Sequence, residues 1–167
     1  LKRCEEVLRG RERGRFDNNE WYQYGRKQGI DYGGVEKLLA PDISLGGNFS
    51  IDYSGDYYTT TTLYGYLRKE GVWESYEYWL ALLNSSLLWF YLKNSGSVLA
   101  NGYFRYKPAY LENFPVPSPH QWQEKAISKL SKLALFANSC NTLEMRQGLT
   151  SFLESLIDAC VFELYFE

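Results

Sequence analysis

NFSIDYSGDYYTTTTLYGYLRKEGVWESYEYWLALLNSSLLWFYL, residues 48–92, changes its hydrophobic period part-way along. Phe49 and Ile51 alternate with Asn48, Ser50 and Asp52, the period-two pattern of a half-buried strand. Ser54-Gly55-Asp56 supplies turn residues. Residues 57–62 are aromatic and β-branched and predict the second strand of a hairpin. A further strand is expected over 63–67, closed off by Gly71. From Ser75 the period becomes helical. Ser75 is placed to cap a helix carrying Tyr76, Trp79, Leu80, Leu82 and Leu83 that ends near Asn84. Ser85 or Ser86 caps a second helix carrying Leu87, Leu88, Phe90, Tyr91 and Leu92. Strands followed by helices predict an α+β domain with a small mixed or antiparallel sheet and flanking helices.

Upstream, Lys37-Leu38-Leu39-Ala40 reads as a buried strand stopped by Pro41. Trp21-Tyr22-Gln23-Tyr24 reads as a short strand, with Trp21 expected in the core. Residues 1–16 read as a charged helix or linker broken at Gly10 and Gly14. Downstream, 94–102 is a Gly/Ser/Asn loop and Tyr103-Phe104-Arg105-Tyr106 a strand. Pro115, Pro117 and Pro119 then mark a boundary. Beyond it, Trp122, Ala126, Ile127, Leu130, Leu133, Ala134 and Ala137 recur at helical spacing. So do Leu149, Phe152, Leu153, Leu156, Ile157, Cys160, Val161 and Leu164, which predicts a C-terminal helical hairpin. Leu156 is expected to be buried in it. The chain thus divides into a charged segment over 1–16, a body over 17–118 and a helical hairpin over 119–167.

Apolar residues make up 45% of the 167 and charged residues 23%, enough for a core without a metal or disulfide staple. Aromatic content is high, with 15 Tyr, 9 Phe and 5 Trp, as on surfaces that pack on one side and meet a partner on the other. Cys4, Cys140 and Cys160 are odd in number and lack metal spacing, which predicts a reduced, cytoplasmic protein. No apolar run approaches a membrane span, and the Arg- and Glu-rich start is no signal peptide. An opening at Leu1 reads as a piece of a longer protein.

The net charge of −2 weighs against a histone-like binder. It is unevenly spread, however. Residues 9–28, with Arg9, Arg11, Arg13, Arg15, Arg26 and Lys27, and residues 93–107, with Lys93, Arg105 and Lys107, are each basic by three charges. Two basic segments on an acidic body fit a directional anionic partner. Catalytic and metal chemistry finds no support. His120 is the single histidine. Pro41-Asp42 lacks the second acid and lysine of a nuclease site, and no glycine-rich phosphate loop occurs. A binding module is the better reading.

One ordered set of motifs is specific. It comprises Trp21-Tyr22-Gln23-Tyr24-Gly25-Arg26-Lys27-Gln28, Lys37-Leu38-Leu39-Ala40-Pro41, Phe49-Ser50-Ile51-Asp52 and Gly55-Asp56-Tyr57-Tyr58. Leu80-Ala81-Leu82-Leu83-Asn84-Ser85, Phe90-Tyr91, Gly102-Tyr103-Phe104-Arg105-Tyr106 and Phe114-Pro115-Val116-Pro117 follow. In that order they resemble the TaqI-like C-terminal specificity domain, the target-recognition part of bacterial N6-adenine DNA methyltransferases and of fused restriction-modification enzymes. The resemblance spans roughly residues 15–120. It implies double-stranded DNA as partner, together with a methyltransferase domain in the same parent chain. The methyl-donor site and the Asn-Pro-Pro-aromatic motif belong to that domain. S-adenosylmethionine is therefore expected for the parent and no cofactor for this chain, which neither methylates nor carries catalytic residues. Arg26 and Gln28, with Lys27 between them as a further DNA-binding candidate, are the candidate base readers, since Arg pairs with guanine and Gln with adenine. Lys93, Asn101, Arg105 and Lys107 are the candidate phosphate contacts. The rival reading is an aromatic-rich module that docks a partner subunit.

Overall fold

Lys37, Leu38, Leu39 and Ala40 are four consecutive buried residues, and they form the middle of the sheet. The computed structural model describes residues 1–25, 29–139 and 143–166. Strand β1 (Lys37–Pro41) is flanked on both edges by antiparallel neighbours, β3 (Ser50–Asp52) and β4 (Leu63–Tyr66), in the order β3-β1-β4. Leu38 sits opposite Ile51 on one side and Tyr66 on the other. A central strand covered on both faces needs a near-continuous apolar run, and this one has it. Pro41, which has no N–H to donate, falls at the strand's end. A second two-stranded ribbon joins β2 (Ile43–Ser44) to β5 (Phe104–Arg105). The architecture is α+β, with a small antiparallel sheet and a C-terminal helical pair.

The helices follow their caps. Ser75 accepts from the Tyr78 N–H and opens α3 (Tyr76–Asn84). Ser85 accepts from the Leu88 N–H and opens α4 (Ser86–Ser95). Leu80, Leu82, Leu88 and Leu92 enter one core with Leu38, Ala40, Phe49 and Tyr106. Asn84 fixes the helix junction to the sheet. Its side chain accepts from Phe49 N–H at 2.8 Å and donates to Phe49 C=O at 2.9 Å. Three shorter α-helices also occur before the C-terminal hairpin: α1 (Glu5–Arg9), α2 (Arg11–Gly14) and α5 (Pro108–Leu111).

The hairpin of α6 (Gln121–Ser139) and α7 (Leu143–Phe166) closes the same core through Ile127, Ile157 and Val161. Glu124 in the first turn of α6 takes hydrogen bonds from Ser75 N–H and Oγ, so the hairpin is tied to the cap of α3. Phe114 packs between Tyr91 and Tyr165, whose hydroxyl donates to Pro115 C=O. This contact accounts for the Phe-Pro motif.

Three sequence expectations are corrected. Residues 57–62 are not a strand. The Asp52 carboxylate accepts the N–H groups of Gly55, Asp56 and Tyr57 and turns the chain away from β3. Gly55 has φ +76° and lies so close to the Gly34 and Val35 backbone that a Cβ would collide there. Among the described strands β3 therefore pairs with β1 alone. Residues 21–24 form turns, because Arg11 takes the Trp21 and Gln23 carbonyls, at 2.7 and 3.0 Å, that a strand partner would need. Trp21 is only half-buried, beside the Arg9 guanidinium, and Tyr22 is exposed. Leu156 is 38% exposed, while Leu153, Ile157 and Val161 carry the inner stripe. Ile157→Ala is accordingly expected to cost about 2–5 kcal/mol. Leu156→Ala should cost under about 1 kcal/mol within a single copy of the domain, measured at high dilution, as surface substitutions do. Chemical denaturation of the two variants checks the order, and equal losses would contradict this packing.

Candidate nucleic-acid interface

β5 is short, but its alternation decides the site. Phe104 points inward, against Trp89 with ring centres 5.1 Å apart. Successive strand residues project to opposite sides, so Arg105 points the other way, to Asp42 at 3.4 Å. Asp42 follows Pro41 at the end of β1. Its backbone bonds to Thr62 C=O and Tyr106 N–H, and its carboxylate accepts from Tyr64 Oη at 3.1 Å. One residue thereby fastens the two sheets together and steadies Arg105. Burial, then this hydrogen bond, push the Tyr64 hydroxyl's pKa upward, so it stays a neutral donor.

Arg105 and Lys107 line a groove of about 570 Å³ together with Thr59, Thr60, Thr61, Tyr64 and Gly29. Lys107 makes no hydrogen bond or ion pair with a described side chain. Thr60 and Thr61 are exposed. Gly29 has φ +78°, and its backbone lies against Thr59 so tightly that any side chain would strike Thr59 Oγ1. The groove thus gathers residues from positions 29, 59–61 and 105–107. It combines Arg105 and Lys107 with the Asp42 carboxylate that pairs with Arg105 and a row of hydroxyl and methyl groups.

Behind the threonine wall lies a buried ion pair. Lys37 Nζ sits 2.8 Å from Asp52 Oδ2, and both side chains are 1% exposed. Lys37 also donates to Val35 C=O. Burial raises the Asp52 carboxyl's pKa, but the Lys37 ammonium and the Tyr57 and Gly55 N–H groups outweigh it and hold the value at about 2. This pair sets where residues 55–57 leave the sheet, and so where the following threonines stand.

The candidate phosphate contacts from the second basic segment separate. Arg105 and Lys107 share the groove. Lys93 lies on the other side of β5, its ammonium 5.7 Å from the Trp89 ring centre. Asn101 is exposed in a turn with φ 63°, a conformation asparagine tolerates. Arg26, Lys27 and Gln28 lie outside the described residues, and Gly29, next in the chain, lines the groove. Much of the first basic segment serves the local fold. Arg9 pairs with Glu5 and Asp17, Arg15 with Glu12, and Arg11 binds backbone carbonyls. The sequence reading missed Thr59, Thr60 and Thr61. The run of four threonines from Thr59 to Thr62 is the signal that could have found them.

The family model of the TaqI-like C-terminal specificity domain matches residues 5–116. The chain belongs to this family. It is a DNA-recognition domain of a methyltransferase-type system, and a specificity domain is not the catalytic part. No curated protein matches the chain significantly. The match covers the sheet, the groove and the α3–α4 pair of the specificity domain, and it stops at Val116, before the helical hairpin. Among the described residues no helix is long and apolar enough to cross a membrane.

Proposed function

We propose that this domain reads a specific duplex DNA sequence and presents it to a separate catalytic domain of a bacterial, cytoplasmic N6-adenine methyltransferase of the restriction-modification type. The observation that carries this reading is the groove, where Arg105 and Lys107 stand beside Thr59, Thr60 and Thr61. Cations fix a duplex by its phosphates, whereas hydroxyl and methyl groups meet base edges. Arg26, Lys27 and Gln28 precede a groove residue; Arg26 and Gln28 are the proposed readers of guanine and adenine. Lys93 and Asn101, beyond β5, would reach phosphates only where the duplex runs past that edge. The target adenine would be flipped into the catalytic domain, which would also hold S-adenosylmethionine. No step of that chemistry is assigned to residues of this chain.

Selection from a pool of random duplexes tests the reading. The domain is expected to enrich one short consensus. Substituting Thr60 and Thr61 together by alanine should relax the consensus at one or two positions, at about 1–3 kcal/mol per lost base contact. Recovery of duplexes without any shared sequence would contradict it.

A further inference from the structure

The helical hairpin has a second apolar face that the domain does not use. Its inner stripes, with Ile127 and Ala137 on α6 and Leu153, Ile157 and Val161 on α7, are buried. Outside them, Trp122 is 62% and Leu133 52% exposed on α6. On α7, Leu149, Phe152 and Leu156 are 44%, 60% and 38% exposed. These are not scattered residues. On α6, positions 122, 126, 129 and 133 recur at steps of four, three and four. On α7, positions 149, 152, 156, 159 and 163 recur at steps of three and four. Such spacing lays a continuous seam along a helix. Ala126 and Ala159, the small members of the two seams, are exposed as well.

Each seam contains one charge, and the two have opposite sign: Lys129 on α6 and Glu163 on α7. Both are exposed, and neither pairs with a described side chain. The helices are antiparallel, with Asn138 beside Thr150. Lys129 therefore lies level with about residue 159 of α7, roughly one helical turn from Glu163. A two-fold axis along the hairpin keeps these levels and sets α6 of one copy against α7 of the other. Lys129 then comes within a lysine's reach of Glu163 in the second copy. The symmetry makes the same pair twice and closes both seams.

We infer that the outer face of the α6–α7 hairpin is a homodimer interface, in which two copies form a four-helix bundle with α6 packed on α7 of the partner. The inference does not depend on the DNA-reading function. An apolar surface alone would suit many occupants. The reciprocal charges select a second copy, because each seam carries the partner that the other lacks.

Sedimentation velocity on the 167-residue chain across nanomolar to high-micromolar concentrations tests this. The wild type is expected to pass from monomer to dimer. Phe152→Asp, and separately Leu133→Glu, should stay monomeric throughout with an unchanged far-ultraviolet circular dichroism spectrum. Lys129→Glu and Glu163→Lys should each weaken dimerisation by about tenfold or more, and the two together should restore it. A wild type that stays monomeric would overturn the inference. So would a dimer indifferent to both Phe152→Asp and Leu133→Glu, or a charge exchange that fails to restore association.

Discussion

Lys37→Ala is expected to lower the melting temperature at neutral pH by roughly ten degrees, because it strands the Asp52 carboxylate at 3% exposure without its cation. The pH dependence distinguishes this cause from a lost packing contact. In the wild type the Asp52 carboxyl is held at about 2, below its ordinary value of about 3.9. A depressed carboxyl contributes stability that is present above the unfolded value and is lost as pH falls through the folded one. The wild type should therefore weaken on acidification from about pH 4 to pH 2. In the variant the ammonium is gone and burial acts unopposed on the carboxyl, which moves its pKa upward. Protonation then relieves the buried charge, and the deficit of the variant should shrink as the pH falls towards 4. Thermal melts over that range check the sign. A deficit that is constant with pH, or absent at neutral pH, would contradict the role given to the pair. The effect should also reach the groove, since Asp52 holds the turn from which Thr59, Thr60 and Thr61 extend.

The second large effect falls on binding. Arg105→Ala and Lys107→Ala should each weaken association with every duplex alike. Each should flatten the dependence of log affinity on log salt by roughly one unit, the signature of one lost phosphate contact. Their double substitution should be near additive in slope, because Arg105 is held by Asp42 whereas Lys107 has no described partner. Lys93→Ala should change the slope less than Lys107→Ala, since Lys93 lies over Trp89 on the opposite side of β5. Fluorescence anisotropy across a salt series measures the wild type and the four variants. Equal slopes for the wild type and the Arg105/Lys107 double variant would remove the groove from the interface.

Much of the fold was legible because its signals are local. Lys37–Pro41 announces a central strand by its unbroken apolar run, although its lysine is as buried as its leucines. Ser75 and Ser85 announce two helices by the hydroxyls that cap them. The signal failed where a distant or polar group decides. Residues 57–62 have strand composition, yet three hydrogen bonds to Asp52 redirect them. Trp21 has core composition, yet Arg9 and Arg11 hold its segment in turns at the surface. The site was half legible. Arg105 and Lys107 stood out as cations beside a glycine loop. Their grouping with Lys93 ignored strand alternation, which sends Phe104 and Arg105 to opposite sides. The threonine wall and Gly29 could not be joined to them from sequence, because they meet only through tertiary structure: β4 pairs with β1, and Asp42 at the end of β1 ties the β2-β5 ribbon, with Arg105, to that sheet.

The central claim is that this surface meets nucleic acid, and the salt dependence of duplex binding by the unmodified chain tests it most directly. Log affinity is expected to fall linearly with log salt, with a slope of about −2 or steeper from Arg105 and Lys107 alone. Binding that is undetectable at low salt, or that is indifferent to salt as an aromatic protein-docking surface would be, would contradict it.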